Sequence, residues 1–149
     1  MPRRVIAKKL GELLVERKVI TQEQEETALK AQQEKGGLLG QILVSLGFTT
    51  EEAVAQAVTA QYGFPYLPLK NYAIDPELLR IVPENVARQY CLVPVDHIGD
   101  TLTIAMADPL NPGVLEDMEM LSHCSVQIFV STGSDILQAI QRSYGENHA

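Results

Sequence analysis

Long apolar runs are missing from this sequence: none approaches the roughly 18 residues that a membrane-spanning helix needs. A secretory signal pattern is missing too, because Lys8 and Lys9 interrupt the first apolar residues. Cysteine is scarce. Cys91 and Cys124 are too few for a disulfide framework and lack metal-ligand spacing. Both lie beside apolar, strand-like runs, which predicts buried thiols in a reducing, cytoplasmic compartment. No Gly-rich loop followed by Lys and Ser or Thr is present to cradle a nucleotide triphosphate. The histidines His97, His123 and His148 have no paired helical spacing. His97 is expected to be exposed near a turn, and His123 to close a helix. Sequence adjacency of His123 and Cys124 does not make a base and nucleophile. Asp96, Asp100 and Asp108 fall near one hairpin, where turn chemistry accounts for them. These absences predict no catalytic residue, no metal and no cofactor, hence a chain that is not an enzyme.

What is present begins with charge. The net charge is −7, but residues 1–20 carry Arg3, Arg4, Lys8, Lys9, Arg17 and Lys18 against Glu12 and Glu16, a net of +4. The other 129 residues therefore carry −11. An acidic body argues against nucleic-acid binding. The basic end suits a phosphate-bearing small ligand, an acidic partner face or a solvated helix end. With 46% apolar residues, 149 residues suffice for one ordinary core or two small ones.

The first sixty residues contain one unit written twice. Leu10-Gly11-Glu12-Leu13-Leu14-Val15 aligns with Leu39-Gly40-Gln41-Ile42-Leu43-Val44 at an offset of 29 residues. The same offset pairs Thr21 with Thr50, Glu23 with Glu52, Ala28 with Ala57, Ala31 with Ala60 and Gln32 with Gln61. Over Leu10–Gln32, nine of 23 positions are identical, the mark of a supersecondary unit stacked on its copy. Each unit reads as helix, turn, helix. In the first, Ile6, Leu10, Leu13, Leu14 and Arg17 share a helical face, and Thr21 with Gln24 forms a capping box. That second helix runs to Gly36-Gly37. In the second unit a helix spans Leu39–Leu46, Gly47 breaks it, and Thr49 or Thr50 caps a helix ending at Gly63. Gly11 and Gly40 stand inside helical patterns, where glycine costs about 1 kcal/mol relative to alanine. Two explanations compete: a ligand approaches the backbone there, or the two helix pairs pack closely.

After Gly63 the pattern changes. Phe64-Pro65-Tyr66-Leu67-Pro68-Leu69 is extended and proline-punctuated, a linker or an edge strand. Pro76 and Pro83 open short helical stretches over 77–81 and 84–90. Residues 92–96 and 101–107 read as strands joined by Gly99-Asp100, with Pro94 marking an edge or a start. A helix over 114–121, a strand over 125–130 and a last helix from Ser131–Ser134 to Tyr144 complete the pattern. The expected fold class is α+β: a four-helix subdomain of two helix-turn-helix units, then a small mixed sheet of about three strands covered by helices. The expected division is 1–63 duplicated helical unit, 64–69 linker and 70–149 α+β subdomain.

The duplicated Leu-Gly unit followed by this α+β region looks like the N-terminal domain of type II secretion and type IV pilus assembly ATPases. In the second half, Arg88-Gln89-Tyr90, Leu92-Val93-Pro94-Val95 and Ala105-Met106-Ala107-Asp108-Pro109-Leu110-Asn111 carry the resemblance. In the first half, the doubled motif is similar to the 24-residue unit with which members of the MshE type bind cyclic di-GMP. Two such units with a five-residue spacer make the 29-residue offset. The sequence departs from that motif at Lys9 (usually Arg) and Leu38 in the equivalent place. Lys18 stands for a motif Gly that Gly47 keeps, Glu25 for an apolar residue that Val54 keeps, and Thr49 breaks an apolar pair. Lysine is a point charge without the forked contact of arginine.

The resemblance implies a ligand set of Lys9, Leu10, Gly11, Leu14, Val15, Gln32, Leu39, Gly40, Leu43, Val44 and Gln61. The bases of cyclic di-GMP would lie against Leu10, Leu14, Leu39 and Leu43. Gly11 and Gly40 would admit it to the backbone, Gln32 and Gln61 would hydrogen-bond, and Lys9 with Arg3 or Arg4 would meet the phosphates. It also implies an ATPase core following the domain, with hydrolysis carried there. The alternative is a protein-docking module for a secretion or pilus assembly protein at the inner membrane's cytoplasmic face, with no ligand.

Overall fold

Leu10, Leu13 and Leu14 fall on one helical face, and the first helix, α1 (Leu10–Glu16), buries all three together with Gly11. The computed structural model describes residues 9–111 and 113–146. Ile6, Arg3, Arg4, Lys8 and His148, singled out from the sequence, lie outside the described residues. The chain divides between Phe64 and Pro65 into two compact units.

In the first unit, Thr21 and Gln24 close the capping box of α2 (Gln22–Lys35). The Gln24 N–H donates to Thr21 Oγ1 at 3.1 Å, and the Thr21 N–H donates to Gln24 Oε1 at 2.9 Å. Helix α3 (Leu39–Ser45) repeats α1, and α4 (Glu51–Tyr62) repeats α2, capped by Thr50 and ended by Gly63 in the left-handed region. The duplication extends to single hydrogen bonds. Lys18 N–H donates to Val15 O and Gly47 N–H to Val44 O, both at 3.0 Å, while Val19 and Phe48 donate to Leu14 and Leu43 at 2.9 and 3.0 Å. One asymmetry stands out: α4 buries Val54, Ala55, Ala57 and Val58, whereas α2 buries only Ala28.

The second unit is a mixed sheet with strand order β1 (Leu92–Ile98), β2 (Thr101–Met106), β3 (Ser125–Val130). Gly99-Asp100 turns β1 antiparallel onto β2, and α6 (Val114–Ser122) carries the chain across to a parallel β3. Pro94 lies on the edge strand β1, beside a register shift between Pro94 and Asp96, where its missing N–H costs no ladder bond. A 3₁₀ helix (Pro76–Arg80), α5 (Glu84–Tyr90) and α7 (Gly133–Glu146) pack on β1, and α6 packs on β3. Leu92, Leu102, Ile104, Met106, Met118, Ile136 and Ile140 are fully buried in this unit. The described residues form seven α-helices and a three-stranded mixed sheet, an α+β fold.

Three sequence expectations need correction. Of the two readings of residues 64–69, linker or edge strand, residues 65–67 take the second, and the linker of the expected division gives way to a boundary between Phe64 and Pro65. Tyr66 bridges Val130 in parallel, Val130 N–H donates to Pro65 O at 2.8 Å, and Leu67 N–H donates to Val130 O at 2.9 Å. The free edge of β3 has unmet backbone groups, and this stretch meets those of Val130. Cys91 is buried as expected, but Cys124 is only half-buried, and its Sγ lies 3.4 Å from His97 Nε2. Asp108 does not join Asp96 and Asp100, because β2 separates it from the hairpin.

Candidate functional site

The two helix-interior glycines explain how α1 meets α3. A Cβ added at Gly11 would stand 3.0 Å from Leu39 Cδ2, and one at Gly40 would stand 3.2 Å from Leu10 Cδ2. Each glycine thus accepts the leucine that precedes its counterpart in the other copy. The packing is reciprocal, and a side chain at either glycine would push the two helices apart. Of the two explanations left open by the sequence, close packing of the helix pairs accounts for both glycines within the unit itself.

This changes what the predicted ligand residues present to the surface. Leu14 and Leu43 are fully buried, Leu10 is 3% exposed and Leu39 9% exposed. All four were expected to face the ligand bases, and all four are enclosed by the unit's own helices. The apolar spacing that marked them is the spacing of a core face. Val15, Gln32, Gly40 and Val44 are half-buried, and Lys9 and Gln61 are exposed. Lys9 precedes α1 with extended backbone, its carbonyl accepting the Leu13 N–H at 3.1 Å, and its side chain is exposed. Leu38 repeats that position before α3 without a charge. The two glutamines are not equivalent. Gln32 Nε2 donates to Gly37 O at 2.9 Å, whereas Gln61 Oε1 accepts a long 3.5 Å contact from Arg17 Nη1. The sequence counted Arg17 in the basic cluster and on a helix face but left it out of the ligand set; its contact with Gln61 brings it to this surface.

Glu25 also belongs to this surface. Its Oε2 lies 2.5 Å, and its Cδ 3.2 Å, from the point a Gly11 Cβ would occupy. The equivalent atom over Gly40 is Val54 Cγ1, at 4.0 Å.

In the second unit the polar pairs tie elements together. Tyr90 Oη donates to Asp117 Oδ2 at 2.5 Å, linking α5 to α6, and that bond, with burial and the aspartate charge, raises the phenol pKa. Tyr144 Oη donates to Val82 O at 2.5 Å; burial, with the Glu84 charge, pushes its pKa up to about 12. Burial pushes the Asp108 carboxyl up to about 6, opposed by the Leu110 N–H that Oδ1 accepts at 3.0 Å. Arg142 Nη2 donates to Leu69 O and Tyr72 O at 3.3 and 3.1 Å, fastening the stretch before the 3₁₀ helix to α7. Among the described residues, no group of three or more His, Cys, Asp and Glu is placed to hold a metal. Among them, too, no helix is long and apolar enough to cross a membrane.

Comparison with known proteins agrees with this architecture. The family model described as the MshEN domain matches residues 62–149. The type IV pilus assembly ATPase PilB of Myxococcus xanthus is 34% identical over 138 residues, 93% of this chain and 24% of that protein. PilB of Thermus thermophilus is 36% identical over 141 residues, 93% of this chain and 16% of that protein. The chain therefore spans a quarter or less of the length of these relatives. A solved structure of MshE with cdg (cyclic di-GMP) superposes with a TM-score of 0.67 at 30% identity, covering 92% of this chain and 99% of that one. The N-terminal domain of XpsE superposes with a TM-score of 0.67 at 21% identity, covering 95% and 98%, and speaks for the fold alone. On a family model that matches more than half of it, and on relatives that match nearly all of it, this chain belongs to the MshEN domain family.

Proposed function

We propose that this chain is a non-catalytic regulatory domain of a pilus-assembly or secretion ATPase, and that it binds cyclic di-GMP on its duplicated helical unit. The observation that carries the proposal is the likeness, over both units, to MshE solved with that ligand. The geometry supports a shallow site. The half-buried Gly40, Val15 and Val44 offer apolar and backbone surface, and the exposed Lys9, Arg17 and Gln61 offer charge and hydrogen bonds at its rim. Gln32 is half-engaged with Gly37 and holds the turn before α3. Leu10, Leu14, Leu39 and Leu43 act beneath the surface, setting how closely α1 and α3 approach, and Gly11 lies under the Glu25 carboxylate. In the proposed setting the domain works on the cytoplasmic side, and nucleotide hydrolysis belongs to the rest of the ATPase.

Calorimetric titration of the whole chain with cyclic di-GMP tests the reading. Binding is expected, weakening as salt rises because Lys9 and Arg17 act as exposed charges. Lys9→Ala is expected to weaken it several-fold, and Lys9→Arg to strengthen it by adding a second, forked hydrogen bond. Absence of heat at saturating ligand, with the chain folded by circular dichroism, would reject the proposal. The protein-docking reading would then take its place, supported by Ile98 and Met120, which are 72% and 75% exposed on the second unit.

A further inference from the structure

The repeat makes Gly11 equivalent to Gly40 and Glu25 equivalent to Val54, so the two halves of the site can be compared atom by atom. Over Gly40, once the packed Leu10 is set aside, the nearest atom to a Cβ position is Val54 Cγ1 at 4.0 Å. Over Gly11 the same space holds the Glu25 carboxylate, with Oε2 at 2.5 Å and Cδ at 3.2 Å. Burial follows the same difference: Gly11 is buried, whereas Gly40 is half-buried. We infer that Glu25 closes the first half of the duplicated site and leaves the half around Gly40 as the ligand's way in. This inference rests on the proposed cyclic di-GMP reading and adds a specificity-determining residue to it.

The chemistry follows from charge and reach. Cyclic di-GMP carries two phosphodiester anions, and a carboxylate at one half-site repels whichever anion approaches it. The carboxylate ends a flexible side chain and is only half-buried, so it can swing off Gly11 without unfolding α1 or α2. Closure is therefore conditional: a ligand seated on the Gly40 half must displace the carboxylate to engage the other. The consequence is a higher ligand concentration for response than a site with an apolar residue in both copies would need. Glu25 is a positioning and selectivity group, with no bond to make or break.

Titration of the wild-type chain, Glu25→Gln and Glu25→Val with cyclic di-GMP tests this. Glutamine keeps the size and removes the charge; valine copies the residue already accepted at position 54. Both variants are expected to bind about tenfold more tightly than wild type at low salt. The gain of Glu25→Gln should shrink as salt rises, since it is electrostatic. Equal binding by all three proteins, or weaker binding by the variants, overturns the inference while the proposed function stands. Binding by the variants alone upholds the inference and removes the claim that the native chain responds to this ligand. No binding by any of the three, with all folded, overturns both.

Discussion

Lys18 and Asp108 each occupy a place that a different residue would fill at lower cost. Lys18 has φ 62, the left-handed region that Gly47 enters at φ 80 in the second copy. A Cβ in that region costs about 1 kcal/mol or more, part of which glycine returns as greater freedom in the unfolded chain. Lys18→Gly is therefore expected to raise stability by up to about 1 kcal/mol, read as a higher urea midpoint at unchanged slope. Asp108 is held with its pKa at about 6, above the ordinary 3.8, because burial penalises its charge. The folded state then keeps a proton that the unfolded chain has already released between those values, so stability falls as pH rises through that window. Asp108→Asn retains the acceptor for the Leu110 N–H and removes the charge. Denaturation at pH 4 and pH 7.5 should show little difference at the lower pH. At the higher one the variant should be about 1–3 kcal/mol more stable.

The two long helices of the duplicated unit share a cap type and differ in anchorage. Thr21 and Thr50 each accept an N–H at 3.1 Å, so Thr→Ala at either is expected to cost about 1 kcal/mol. The cost should appear differently in the two copies. Helix α2 buries Ala28 alone, whereas α4 buries four side chains, so α2 has far less packing to resist local opening. Native-state hydrogen exchange is expected to run faster in α2 than in α4, with Thr21→Ala accelerating α2 and leaving α4 protected. Uniform protection across both helices would contradict this account. The gating role of Glu25 belongs to the same comparison, since it sits on the looser helix.

For the whole molecule, the open matter is where one unit ends. Residues 65–67 pair with Val130 at the free edge of β3, and Leu69, just beyond them, is fully buried. A fragment starting at Pro65 is expected to fold with a cooperative transition. A fragment starting at Lys70 should lose about 2–5 kcal/mol, the range for emptying a buried leucine site, together with its edge pairing. Denaturation of the two fragments side by side measures the difference; equal midpoints would return residues 65–69 to the status of a linker.

What the sequence alone determined is what neighbouring residues decide among themselves. Thr21 with Gln24, the glycine stops at Gly36 and Gly63, the Gly99-Asp100 turn and the edge-strand Pro94 are short-range signals, and every one has its expected place. The 29-residue offset likewise announced two copies of one backbone, down to paired hydrogen bonds. The sequence also marked Gly11 and Gly40 as unusual, since glycine inside a helix needs a reason. Which reason applied was a matter of tertiary structure, because only packing could bring Leu39 onto Gly11 and Leu10 onto Gly40. Packing likewise withdrew Leu14 and Leu43 from the surface, moved residues 65–67 onto β3, and brought His97 rather than His123 to Cys124. The carboxylate over Gly11 is the sharpest case. Glu25 reads as a charge on a polar helix, and only the crossing of α1 with its neighbours turns it toward a glycine on another element.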